Sequence, residues 1–155
     1  MKKSLLVSLA IIFSSFQLFA QSDDSYIEIV RDVLNAEKKA AIAEVIVLSD
    51  TESSPFWALY NEYNFELSKV QNLRIATIKD FAANYENMTN EKADELWNNT
   101  IVYQQNLTKL KKSYYKKFKK ILPAGKAVQY FQVENKIEAL VNASLAMEIP
   151  LIEVN

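Results

Sequence analysis

Leu48-Ser49-Asp50-Thr51-Glu52-Ser53-Ser54-Pro55-Phe56-Trp57 is the first of three copies of one pattern. In each copy an apolar residue is followed by Ser, Thr or Pro. An aromatic residue stands nine positions after the apolar one and directly follows another large apolar side chain. The other copies run from Met88-Thr89 to Leu96-Trp97 and from Leu122-Pro123 to Tyr130-Phe131. Because Ser and Thr are preferred helix N-caps and Pro is favoured in the first turn, the pattern predicts three helix starts.

The composition favours helices throughout the chain. Among 155 residues, half are apolar, glycine occurs once and proline three times. Folds built on strands need many tight turns, and such turns depend on glycine and proline. A chain of this length with this apolar content corresponds to one domain with a substantial core. We therefore predict an all-α fold.

Apolar residues recur at helical spacing in four segments, near residues 26–48, 55–85, 90–122 and 125–148. We expect about four long helices in an elongated antiparallel bundle or hairpin arrangement. The first copy of the pattern allows two starts for the second helix. Ser49 with Glu52 has the spacing of a capping box, and Ser54 can instead cap a helix that begins at Pro55. We favour Ser54, since a proline inside a helix removes a hydrogen bond.

Further expectations concern the aromatic residues of the pattern and the apolar tail of the chain. Trp57, Trp97 and Phe131 are expected to anchor each new helix in the core, and ligand-binding rings are the less favoured alternative. The apolar tail, residues 149–152, is expected to fold back onto the bundle, because an exposed apolar tail favours aggregation.

The N-terminus has the features of an export signal. Lys2 and Lys3 precede an apolar run over residues 5–13, and Leu18-Phe19-Ala20 forms a cleavage site before Gln21. We predict a signal peptide at residues 1–20, a single helical domain at 21–155, and export to the periplasm. An uncleaved N-terminal anchor is the alternative.

Several chemistries lack their residues. The chain has no histidine and no cysteine, which removes the commonest general base, zinc ligand and thiolate nucleophile. One glycine cannot form a phosphate-binding loop. Carboxylate pairs at helical spacing, such as Glu62 with Glu66, are interpreted as solvated helix faces. We expect a protein without catalytic, metal-binding or cofactor-binding residues, and a hydrolase that uses carboxylates alone is the least favoured reading.

One segment is strongly basic, with seven lysines in twelve residues: Lys109, Lys111, Lys112, Lys116, Lys117, Lys119 and Lys120. It is either a solvated helix end, where positive charge is favoured by the helix dipole, or a docking surface for an anionic partner. Removal of residues 1–20 leaves 16 basic and 19 acidic residues, a net charge of −3. An acidic chain is a poor nucleic-acid binder, so we expect no such partner.

Arg74 and Glu134 form a second candidate site. Both lie close to apolar stripes, and a buried arginine requires a carboxylate partner. A buried ion pair between them and two separate residues at a solvated edge are both compatible with the sequence.

The repeated openings, together with Phe56-Trp57-Ala58-Leu59-Tyr60 and Ile149-Pro150-Leu151, resemble a family of small exported all-helical bacterial proteins. More distantly, they resemble the periplasmic Spy/CpxP class with its Leu-Thr-x-x-Gln repeats. The resemblance implies a non-catalytic periplasmic binding protein, of chaperone-like or envelope-stress accessory type, that binds a protein client and forms a homodimer. The alternative is a structural or partner-binding subunit that docks an envelope complex, a membrane sensor or a membrane surface through its basic helix end.

Overall fold

The computed structural model describes residues 24–152, which form four α-helices and no strand. Helix α1 spans Asp24–Val45, α2 spans Asp50–Asn84, α3 spans Asn90–Ile121 and α4 spans Ala124–Glu148. A 3-10 turn, Tyr85–Asn87, follows α2. The prediction of an all-α fold with four long helices is confirmed, whereas the predicted signal peptide lies outside the described residues. No helix within residues 24–152 combines the length and the apolar character needed to cross a bilayer.

The preferred start of α2 was wrong. Ser49, not Ser54, is the N-cap, and its backbone N–H donates to the Glu52 carboxylate at 2.8 Å, as in a capping box. Pro55 therefore lies inside the helix. Its missing N–H leaves only one helical hydrogen bond unmade, to the carbonyl of Thr51. The capping box and an ion pair between Glu52 and Lys126 of α4 offset that loss.

The three predicted openings share one register in the structure. Helices α2, α3 and α4 all begin two residues after the apolar residue of their copy, at Asp50, Asn90 and Ala124. The seventh residue of each helix is buried, and these residues are Phe56, Leu96 and Tyr130. The pattern therefore marks both the start of a helix and the side that faces the core.

The aromatic residues that directly follow these three buried positions differ in how far their side chains are buried. Phe131 is buried, and Trp57 is half-buried with its ring 5.0 Å from that of Phe56. Trp97 is 64% exposed, so the prediction that it anchors α3 in the core was wrong. One residue corresponds to about 100° around a helix, which turns Trp97 away when Leu96 faces inward.

The described residues group into two compact units. The first contains residues 24–45 and 135–151, and the second contains residues 46–134 and residue 152. In the first unit Ile42 is completely buried and Lys38 is nearly so. Leu151 is 88% exposed, so the prediction that the tail folds back was wrong for this residue.

Rings from three helices form the core of the second unit. Phe56 of α2 lies 5.5 Å from Phe118 of α3 and 5.4 Å from Tyr130 of α4, and Phe118 lies 4.6 Å from Tyr130. The rings meet tilted or edge to face, which is the preferred geometry for aromatic pairs. The core therefore fixes the C-terminal half of α3, where the basic segment lies.

Helices α2 and α3 form an antiparallel hairpin within the second unit. Near the turn, Lys92 of α3 pairs with Asp80 of α2 at 3.2 Å. At the other end the rings of Tyr63 and Tyr114 lie 5.2 Å apart. These contacts set how α3 is rotated about its own axis, and that rotation decides which lysines face solvent.

Candidate functional site

The basic segment lies on α3 and is divided by the helical repeat. Tyr103, Leu107, Tyr114 and Phe118 are buried and follow one another at intervals of four or seven residues along one side of the helix. At about 100° per residue, five of the seven lysines fall within an arc of about 100° on the opposite side. We call this set the lysine face, and it comprises Lys109, Lys112, Lys116, Lys119 and Lys120.

All five side chains of the lysine face are exposed. Their eleven helical steps correspond to a row about 16 Å long. Lys119 also lies over the ring of Tyr115, with its ammonium nitrogen 5.1 Å from the ring centre. Lys119 and Lys120 occupy the last turn of α3, where the helix dipole favours positive charge.

The other two lysines have different surroundings. Lys111 is partly buried and lies beside the buried side of α3. The Lys117 ammonium donates to Oε1 of Glu62 in α2 at 2.7 Å and lies 4.3 Å from the centre of the Tyr114 ring. The structure therefore assigns Lys117 to the contact between α2 and α3.

Glu62 was interpreted from the sequence as part of a solvated helix face, and its contact with Lys117 was missed. The Tyr114 hydroxyl donates to the same Oε1 atom at 2.8 Å. Hydrogen bonds from Lys117 and then Tyr114 lower the pKa of the Glu62 carboxyl, while the bond to Glu62 raises the pKa of Lys117. Burial, followed by the bond to Glu62, raises the pKa of Tyr114. The sequence shows that Lys117 falls beside the apolar stripe of α3 when the helix is drawn as a wheel, but it does not identify Glu62 as the partner.

Few carboxylates balance the lysine face. From residue 96 to residue 133 the chain contains eight lysines and no acidic residue. Two of these lysines, Lys117 and Lys126, pair with Glu62 and Glu52 of α2. Within residues 24–152, no carboxylate forms an ion pair with any lysine of the lysine face. The positive charge of this face is therefore available to an anionic ligand.

Arg74 and Glu134 lie at different levels of the second unit. The Arg74 guanidinium lies over the ring of Tyr103, 5.5 Å from its centre. Glu134 is 5% exposed, and its negative charge adds to burial in raising the pKa of Tyr60 and Tyr130. The fourteen positions between Tyr60 and Arg74 correspond to about 20 Å of helix. The structure therefore does not bring Arg74 and Glu134 together.

The α2–α3 hairpin also carries a shallow, open groove. Val70, Leu73 and Leu110 supply its apolar lining, and its polar lining comes from Glu66, Lys69, Asn106 and Lys109. Among the described residues, no group of three or more Asp and Glu side chains is arranged to hold a metal ion.

Comparison of the chain with protein-family models, with curated proteins and with solved structures gave no match.

Proposed function

We propose that the chain is a non-catalytic exported binding protein that docks an anionic partner of the cell envelope through its lysine face. The observation that carries the proposal is the row of five exposed lysines, none of which pairs with a carboxylate of the described chain. Clustered charge of one sign raises the local concentration of oppositely charged partners and the rate of their association. The aromatic core beneath the row supports the proposal, because it holds α3 in one rotation.

Export is the part of this proposal that rests on the N-terminal sequence alone. Lys2, Lys3 and the apolar run before Gln21 support it. N-terminal sequencing of the protein recovered from a periplasmic extract tests it. We expect the sequence to begin at Gln21, and an intact Met1 in the cytosolic fraction would contradict export.

Docking is tested by neutralising three lysines of the face. The glutamine variant carries Lys109→Gln, Lys112→Gln and Lys116→Gln. Its matched control, the glutamate control, carries Ala76→Glu, Ala83→Glu and Ala139→Glu at exposed helical positions. Both variants change the net charge by the same amount, so only the location of the charge differs.

The measurement is fractionation of the producing cells, followed by quantification of the protein that sediments with the envelope membranes. We expect the glutamine variant to lose this association and the glutamate control to keep it. Equal association of the two variants would show that the lysine face does not dock the partner.

A chaperone-like activity is the second candidate, and a different observation favours it. Phe65 of α2 is 63% exposed and Trp97 of α3 is 64% exposed, so the hairpin presents two large aromatic rings to solvent. Exposed aromatic side chains are common anchors in binding surfaces. Light scattering by an aggregating client protein tests this candidate. We expect suppression that weakens with Phe65→Ser and Trp97→Ser together, and aggregation unaffected by an equimolar amount of protein would rule it out.

A further inference from the structure

We infer that the partner of the lysine face is the surface of a bilayer that contains anionic lipids. The inference rests on the proposed docking function and adds the chemical class of the partner. It depends on the composition of the face, on its shape and on the type of cation that it presents.

The composition of the face differs from that of a protein-binding surface. Between Gln105 and Lys120, the outward arc of about 100° contains the five lysines and Gln105, and it has no apolar or acidic residue. Protein interfaces are depleted in lysine and draw most of their affinity from aromatic and apolar anchors at their centre. Affinity at the lysine face must therefore come from charge.

The shape of the face favours a flat partner. The lysines project from the exposed side of α3 over a length of about 16 Å. A planar array of phosphates can approach all five ammonium groups at once. A flexible acidic peptide would first lose conformational entropy, and the arc offers it no apolar contact in return.

The use of lysine instead of arginine agrees with binding to headgroups that have no fixed positions. Every charge in the face is a lysine, and no arginine occurs between residues 96 and 133. Arginine binds phosphate in a fixed bidentate geometry, whereas the lysine ammonium acts as a compact point charge on a flexible stem. Such charges suit mobile lipid headgroups that have no fixed positions.

The acidic net charge of the chain does not oppose this mode of binding. Exposed charges farther apart than about 8 Å are largely screened at physiological ionic strength. The carboxylates of Glu52 and Glu62 each pair with a lysine outside the face. A lysine close to an anionic membrane surface strengthens binding roughly fivefold, so five of them produce measurable association without an inserted segment.

Vesicle co-sedimentation tests the inference with the protein purified from its producing cells. The vesicles are pure phosphatidylcholine, or equal parts of phosphatidylcholine and phosphatidylglycerol. We expect binding that requires phosphatidylglycerol and decreases with added salt. The glutamine variant should bind roughly a hundredfold more weakly, since three lysines are removed, whereas the glutamate control should bind as the unmodified chain does. Circular dichroism of each variant verifies that the helices are intact.

Two results would overturn the inference. One is binding that is independent of phosphatidylglycerol, and the other is equal binding by the glutamine variant and the glutamate control. If anionic vesicles are not bound while association with the envelope membranes in cells still depends on the lysines, the lipid assignment fails and the docking function stands. If that association is also independent of the lysines, both fail.

Discussion

At the scale of single residues, neighbours in the sequence have opposite roles at the start of α3. Leu96 is 5% exposed and lies in the core, while Trp97 projects into solvent. Trp97 was expected in the core because it holds the aromatic position of the repeated pattern, and large aromatic residues usually contribute strongly to a core. Position within the helix determines which of the two residues is buried, because the seventh residue is buried in all three helices that begin with the repeated pattern.

Substitution of the two neighbours tests this assignment. Leu96→Ala removes a buried side chain and leaves a cavity, so we expect it to lower the free energy of unfolding by about 2–5 kcal/mol. Trp97→Ala removes a mostly exposed ring, so we expect a change within about 0.5 kcal/mol. Urea denaturation followed by circular dichroism measures both values. A larger loss for Trp97→Ala than for Leu96→Ala would contradict the register described for α3.

A second prediction at this scale concerns the pH dependence that arises from Glu62. Its pKa is lowered in the folded chain by hydrogen bonds from Lys117 and Tyr114. The unfolded chain therefore takes up the proton first as the pH falls below the ordinary glutamate value of 4.5. The stabilisation by Glu62 is complete above that value and is lost as the pH falls through the lowered pKa.

The comparison of unmodified protein with Glu62→Gln measures this contribution. We expect the urea midpoint of the unmodified protein to decrease between pH 6 and pH 3, and the decrease to be smaller for Glu62→Gln. Glu91→Gln is the control, because Glu91 is exposed near the start of α3 and shares no contact with Lys117. Parallel pH profiles for Glu62→Gln and the unmodified protein would show that the hydrogen bonds do not persist in solution.

At the scale of helices, local signals determine most of what the sequence predicts correctly. Neighbouring residues in the sequence predicted both the cap at Thr89 and the break at Pro123. In the structure the Thr89 hydroxyl accepts a hydrogen bond from the Lys92 N–H at 3.1 Å. The start of α2 was misjudged because the cost of Pro55 was weighed alone. The ion pair between Glu52 and Lys126 joins residues 74 positions apart, and no local pattern reveals such a contact.

The same distinction applies to the candidate site. The run of lysines is visible in the sequence, and so is the apolar stripe that divides it into two sides. The partner of Lys117 was not visible, because Glu62 reaches it only after α2 and α3 have paired in one register. The pairing of Arg74 with Glu134 was suggested by the position of each residue near an apolar stripe, which carries no information on the level that each occupies in the folded unit.

Gly125 offers a prediction for α4. It is the only glycine of the chain and the second residue of this helix, and its φ is not positive. A Cβ atom built at this position has no neighbouring atom within 4 Å. Alanine loses less conformational entropy than glycine on entering a helix, so we expect Gly125→Ala to raise the free energy of unfolding by about 0.5–1 kcal/mol.

Urea denaturation measures the effect, and the reverse substitution in the same helix provides the control. Ala127 is completely buried two positions later, and Ala127→Gly should lower stability. If Gly125→Ala were destabilising, the glycine would have a role that its helical backbone and open surroundings do not indicate.

At the scale of the whole molecule, charge is unevenly distributed along the chain. Residues 96–133 hold eight lysines and no acidic residue, while the other 117 residues hold ten basic and 19 acidic ones. The formal net charge of −1 therefore describes neither part. Association with charged partners depends on the local field, which extends only about one Debye length from the surface at physiological salt.

Retention on a cation-exchange resin tests whether the local field outweighs the net charge. At pH 7, above the sequence pI of about 5.6, a protein with evenly distributed charge would not bind the resin. We expect the unmodified chain to be retained at low salt and released as salt rises, since the lysine face meets the negatively charged surface directly. The glutamine variant should pass through the column. The glutamate control has the same net charge as that variant but an intact lysine face, so it should be retained. Elution of the two variants at the same salt concentration would show that the five lysines do not act as one surface.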